Sequence, residues 1–237
     1  MTRHSLNVLF AACATLLSCA KSEPIPVIDV RSTLPPPKVE QPPQQRYVPP
    51  TWEYSPKIAA ASDEAVKSSA NFRFPQGMEL TLWAAEPDLA NPVAFDVAAD
   101  GRVYVAETFR QESEGVPDNR SFPEFLEKDL RTVTVEERGA NYLSSHPEFL
   151  EEWTDQEERI RVLWDEDGDG KADVSKVFAR GFNDLLDGTG AGVLAVGTDV
   201  YFTFIPKLWK LSDLDHDGVA EDGLALHHGY GPRIAFR

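Results

Sequence analysis

Cysteine is nearly absent from this chain of 237 residues: there are two, Cys13 and Cys19, both within the first twenty positions. No disulfide framework and no cysteine-ligated metal centre can therefore be built in the remaining 218 residues. Basic residues are also scarce, 23 Lys and Arg against 39 Asp and Glu, for a net charge of -16. No arginine-rich run or basic patch occurs, which excludes the phosphate-neutralising surface that nucleic-acid binding requires. No apolar run is long enough to span a bilayer as a helix. A nucleotide-binding glycine loop, zinc-ligand spacing and a Ser-His-Asp order are missing as well. With 42% hydrophobic residues the chain is still rich enough in apolar side chains for one substantial globular domain.

What is present starts with an N-terminal signal. Arg3 precedes a short apolar run, 6–17, and then Leu16-Leu17-Ser18-Cys19. This has the form of a bacterial lipobox, with an aliphatic residue three before the cysteine and a small one just before it. The expectation is a lipoprotein signal peptide over 1–18 and lipidation of Cys19, against the plainer alternative of an ordinary secretory signal. That places the protein in the cell envelope, lipid-anchored on the periplasmic or outer-membrane face. Ten of the 18 prolines then fall between 24 and 56. Proline fixes φ and donates no hydrogen bond, so 19–71 reads as an extended tether.

The most informative stretch is Asp165-Glu-Asp167-Gly-Asp169-Gly170-Lys-Ala-Asp173, which returns 48 residues later as Asp213-Leu-Asp215-His-Asp217-Gly218-Val-Ala-Glu221. Carboxylates at positions 1, 3, 5 and 9 of a loop turning at glycine suit a hard cation, since calcium takes roughly six to eight oxygens. Position 7 would add a backbone carbonyl. The EF-hand pattern fails at position 12, where Lys176 and Leu224 stand, and the flanks are short and β-rich. Each loop therefore reads as the tip of a β-hairpin holding one calcium ion. The bland alternative is an Asp/Gly turn without metal.

Around these loops the same order of short strands occurs twice: 93–98, 102–107, 159–164 and 174–179, then 192–196, 200–205, 207–212 and 224–228. Four antiparallel strands in a repeat of this length are the signature of a β-propeller blade. Residues 78–85 alternate and read as a further, closing strand. The fold expected over 72–237 is all-β: an incomplete propeller of about two blades plus that strand. Between the second and third strands, 109–158 carries 14 acidic and 5 basic residues. It reads as a helical insertion over 122–130 and 146–153, packed through Phe125, Leu126, Phe149 and Trp153.

Several stretches together resemble a known family. Phe74-Pro-Gln-Gly-Met78 through Glu86-Pro87, Asn91-Pro-Val-Ala94, Gly101 to Glu107, Asp187 to Leu194 and His228 to Phe236 are similar to the opening of the PVC-type haem-binding CxxCH proteins. The resemblance implies a membrane-bound dehydrogenase domain related to the sorbosone and glucose dehydrogenases. In those, pyrroloquinoline quinone or a c-type haem serves oxidation of a sugar or related alcohol. Neither a Cys-x-x-Cys-His nor the family's His-Asp-x-His-Gly stretch occurs here, so no haem or quinone ligand can be assigned to a numbered residue. Catalytic candidates are few: His146, His216, His227, His228, Arg233 and Glu107. Two functions stay open: part of an oxidoreductase propeller with a sugar-like substrate, or a non-catalytic, calcium-stabilised binding scaffold.

Overall fold

A computed structural model describes residues 44–111, 115–117 and 122–230. The signal, Cys19 and Arg233 lie outside them. Two four-stranded antiparallel sheets make up the body. The first runs in the order β1 (Pro92–Val97), β2 (Val103–Glu107), β3 (Glu158–Trp164), β4 (Val174–Phe182). The second repeats it as β5 (Gly190–Val196), β6 (Asp199–Phe204), β7 (Lys207–Ser212) and β8 (Asp222–His228). The strands fall within a few residues of the ranges the alternation predicts, and the all-β class with a helical insertion holds.

Each sheet is a plain meander, so its first and third connections share one end and its second lies at the other. The β1–β2 hairpin turns at Gly101, φ +89°, where the Ala98 N–H meets the Arg102 carbonyl at 2.8 Å. That end also carries both Asp loops. The β2–β3 insertion and the β4–β5 connection lie at the other end.

The sheets pack face to face. Tyr104, Ala106, Ile160, Val162 and Phe178 from the first meet Phe202, Phe204, Trp209 and Leu211 from the second. Phe182 sits among Phe202, Phe204 and Trp209 with ring centroids 5.2–5.8 Å apart. Burying each such ring is worth about 1.5–3 kcal/mol. Along β1 and the residue after it the alternation is visible: Ala94 and Ala98 pack inward, while Val93, Phe95 and Val97 are exposed. Asp96 ties the junction by accepting the Ala195 N–H at 2.8 Å.

Three expectations need correction. Residues 78–85 form no strand; a strand exists only where a neighbour completes its ladder, and here the Trp83 carbonyl accepts the Ala172 N–H at 2.9 Å with no ladder around it. The tether does not run free to 71. Residues 45–47 lie along β8, with Tyr47 N–H on the Gly223 carbonyl (2.9 Å) and Ala225 N–H on the Gln45 carbonyl (2.8 Å). The Tyr47 ring enters the inter-sheet core, and Gly223 has no room for a Cβ, which would stand 2.8 Å from that of Tyr47. Finally, Leu126 is 46% exposed, not packed.

The insertion forms α2 (Glu124–Arg131), α3 (Val135–Ser145), a turn of 3-10 helix at Pro147–Phe149 and α4 (Leu150–Asp155). Helix α1 (Glu64–Ser69) precedes the sheets. Phe125, Tyr142 and Trp153 form a small core of their own with Phe122 and Phe149.

Candidate functional site

The two Asp loops share one backbone. Positions 4 and 6 take left-handed φ in both: Gly168 (+80°) and Gly170 (+87°), then His216 (+64°) and Gly218 (+91°). Carboxylates hold this shape by accepting loop N–H groups. Asp165 accepts from Gly168 (2.6 Å) and Gly170 (2.9 Å), and Asp173 accepts from Glu166 (2.8 Å). In the second loop Asp213 Oδ2 accepts from Gly218 (2.9 Å), Asp217 from Val219 (2.8 Å) and Glu221 from Leu214 (2.8 Å).

The ligand sets differ. Asp213, Asp215, Asp217 and Glu221 each bring one oxygen to within 4.8 Å of the others. In the first loop only Asp165, Asp167 and Asp173 converge, and Asp169 stays outside the group. Burial differs too. Asp213 is 2% exposed and its Oδ1 is buried with no hydrogen-bond partner, whereas the first loop lies mostly at the surface. An unpaired, dehydrated carboxylate oxygen is costly, and a cation is what would relieve it. Four carboxylates face two nearby cations, the Arg102 guanidinium 3.6 Å from Asp213 Oδ2 and the Lys176 ammonium on the Asp217 carbonyl. The balance remains negative, with each like-charge pair at such range costing on the order of 1–4 kcal/mol.

The other end carries buried charge of a different kind. Glu107, fully buried, accepts from the Ala90 N–H (2.6 Å) and from Arg161 (2.9 Å), and pairs with Arg159. Glu158 accepts the N–H groups of Phe109, Arg110 and Gly190 at 2.8–3.0 Å. Burial pushes its pKa up, and pushes that of Arg110 down. Arg110 donates to the carbonyls of Gly115, Trp153, Asp184 and Asp187. These groups moor the insertion to the sheets. Asp187, paired with Lys207 at 3.1 Å, has its pKa raised by burial to about 6. None of this network follows from local sequence pattern; it needs residues up to 77 positions apart.

Beside the network opens a cavity of about 540 Å³ lined by Lys57, Asn91, Thr108, Phe109, Gln111 and Gln156. The catalytic candidates do not converge on it. Glu107 is consumed by its arginines. His146 caps α3 between Glu124 and Glu148, which raise its pKa. His216 is exposed at the tip of the second loop. His227 stacks on Tyr230 at 4.6 Å, and both it and His228 lie on the edge strand β8, not on an inner one.

Comparison with curated proteins and with solved structures found no match. Residues 64–233 match the family described as Domain of unknown function (DUF7133), a span that takes in both sheets, both loops and the insertion. The chain belongs to that family.

Proposed function

We propose that this chain is a lipid-anchored, calcium-binding portion of a β-propeller in the cell envelope. The observation that carries the calcium reading is the second loop: four convergent carboxylates around a buried Asp213 oxygen with no partner. Oxygen-only donors suit calcium over softer metals. The first loop is the weaker site, with three converging carboxylates and Asp169 apart. The propeller reading is supported by two four-stranded meanders with the same loop in the same place, and by β1 lying beside β5.

The activity proposed for the whole protein is oxidation of a sugar or related alcohol, on the resemblance described above. The cavity beside Phe109 gives this some support, because an aromatic face with amides and one ammonium suits a hydroxylated ligand. Haem has no covalent attachment point in these 237 residues, and no residue is assigned to a quinone, so no step is derived through either. The second reading, a calcium-stabilised binding scaffold, is favoured by the dispersal of the histidines.

Isothermal titration of the full chain with calcium tests the metal reading. Two sites are expected, with affinities on the order of 10⁻⁴–10⁻³ M because the twelfth-position carboxylate is missing. Asp215→Ala should abolish one site and Asp167→Ala the other. No uptake, or uptake indifferent to both substitutions, would sink it.

A further inference from the structure

The Asp213 loop does more than close its own hairpin. Residue Ala220, at position 8, is 1% exposed and belongs to the core between the sheets. Its N–H meets the Phe178 carbonyl of β4 at 2.8 Å. That carbonyl is free to accept because Phe178 is the extra residue of a bulge: Ile160 pairs with Ala179 and Arg161 with Val177. Two cations of the first sheet grip the loop from the same side. Arg102, stacked 4.8 Å over the Trp164 ring, donates to the His216 carbonyl at 3.0 Å. Lys176 Nζ donates to the Asp217 carbonyl at 2.5 Å. These carbonyls belong to positions 4 and 5, so the carbonyl of Val219, the expected backbone ligand, is left for an ion. At Gly218 a Cβ would already touch Lys176, Trp164 and Val162, so the loop lies flush on the neighbouring sheet.

Resting on the calcium reading, we infer that the ion in the Asp213 loop is a fastener between the two sheets. Ligation draws Glu221 to Asp213, and Ala220, the residue before Glu221, is the one that plugs the interface. Without the cation, four carboxylates push the loop open at the place where it is pinned to the first sheet. With it, loop closure and inter-sheet contact become one event. The Asp165 loop offers an internal comparison: its own position-8 residue, Ala172, bonds to Trp83, outside either sheet.

Hydrogen exchange of the Ala220 amide, followed by NMR on the full chain with and without calcium, tests this. Calcium should slow exchange at Ala220 by tenfold or more. The effect should vanish in Asp215→Ala, and in Asp215→Asn, which keeps the side chain's shape, and should persist in Asp167→Ala. Asp215 is exposed, so its loss leaves the core intact. If titration shows calcium bound at this loop while Ala220 exchanges at an unchanged rate, the fastener is wrong and the calcium site stands. If no calcium binds there, both are overturned.

Discussion

Buried carboxylates in this molecule meet three different fates, and each leaves a separate trace. Glu107 is satisfied by two arginines, Asp213 keeps one oxygen bare, and Asp187 is held between Lys207 and its own desolvation. Asp187 gives the clearest pH signature. Its folded pKa is about 6, above the ordinary 3.8, so between those values the folded state holds a proton that the unfolded chain has released. Stability from this group should therefore fall as pH rises from about 4 to about 6, and level off above. Asp187→Asn should flatten that part of the profile, measured as urea midpoints across the range. A profile unchanged by the substitution would show that another group controls it.

Among the elements, the segment along β8 is the one whose removal is most telling. Tyr47 places its ring 5.7 Å from that of Phe182 and its hydroxyl donates to the Arg180 carbonyl. Large-to-small changes of buried aromatic residues cost about 3–5 kcal/mol, and Tyr47→Ala should approach that range in urea unfolding. A loss below about 1 kcal/mol would mean the segment merely rests on the sheet, as surface substitutions do. Nothing local announces this packing. Arg46-Tyr47-Val48 sits amid prolines, and its partner strand lies about 176 residues away. The strands themselves were legible because alternation and turn residues such as Asp100-Gly101 are local signals. The Asp loops were legible for the same reason, down to the shared spacing. Helix α3 was missed although it carries a sign at its start: Thr134 and Glu137 form a capping box. Leu126 failed because helical spacing gives the apolar stripe but not which side meets a neighbour. The strand expected at 78–85 failed because alternation describes one chain, while a ladder takes two.

Taken whole, the molecule is acidic, and the proposed function attaches it to a membrane through Cys19. Mass spectrometry of membrane-extracted protein should find a diacylglyceryl-modified peptide beginning at Cys19, and Cys19→Ser should release the protein from membranes. An unmodified N-terminus elsewhere would exclude the anchor. The seating of Tyr47 on β8 then bears on distance. A proline-rich chain extends by about 3.1 Å per residue, so a spacer running from Cys19 to residue 72 would reach roughly 160 Å. The chain is already seated at residues 45–47, and on the proposed anchor a fully extended stretch from Cys19 to there would reach roughly 80 Å. On the proposed anchor, the reach above the membrane ends where the chain first docks, and that end is held not by Tyr47 alone but also by Trp52 on Glu157 and Tyr54 on Gln156, so no one of them sets the height by itself.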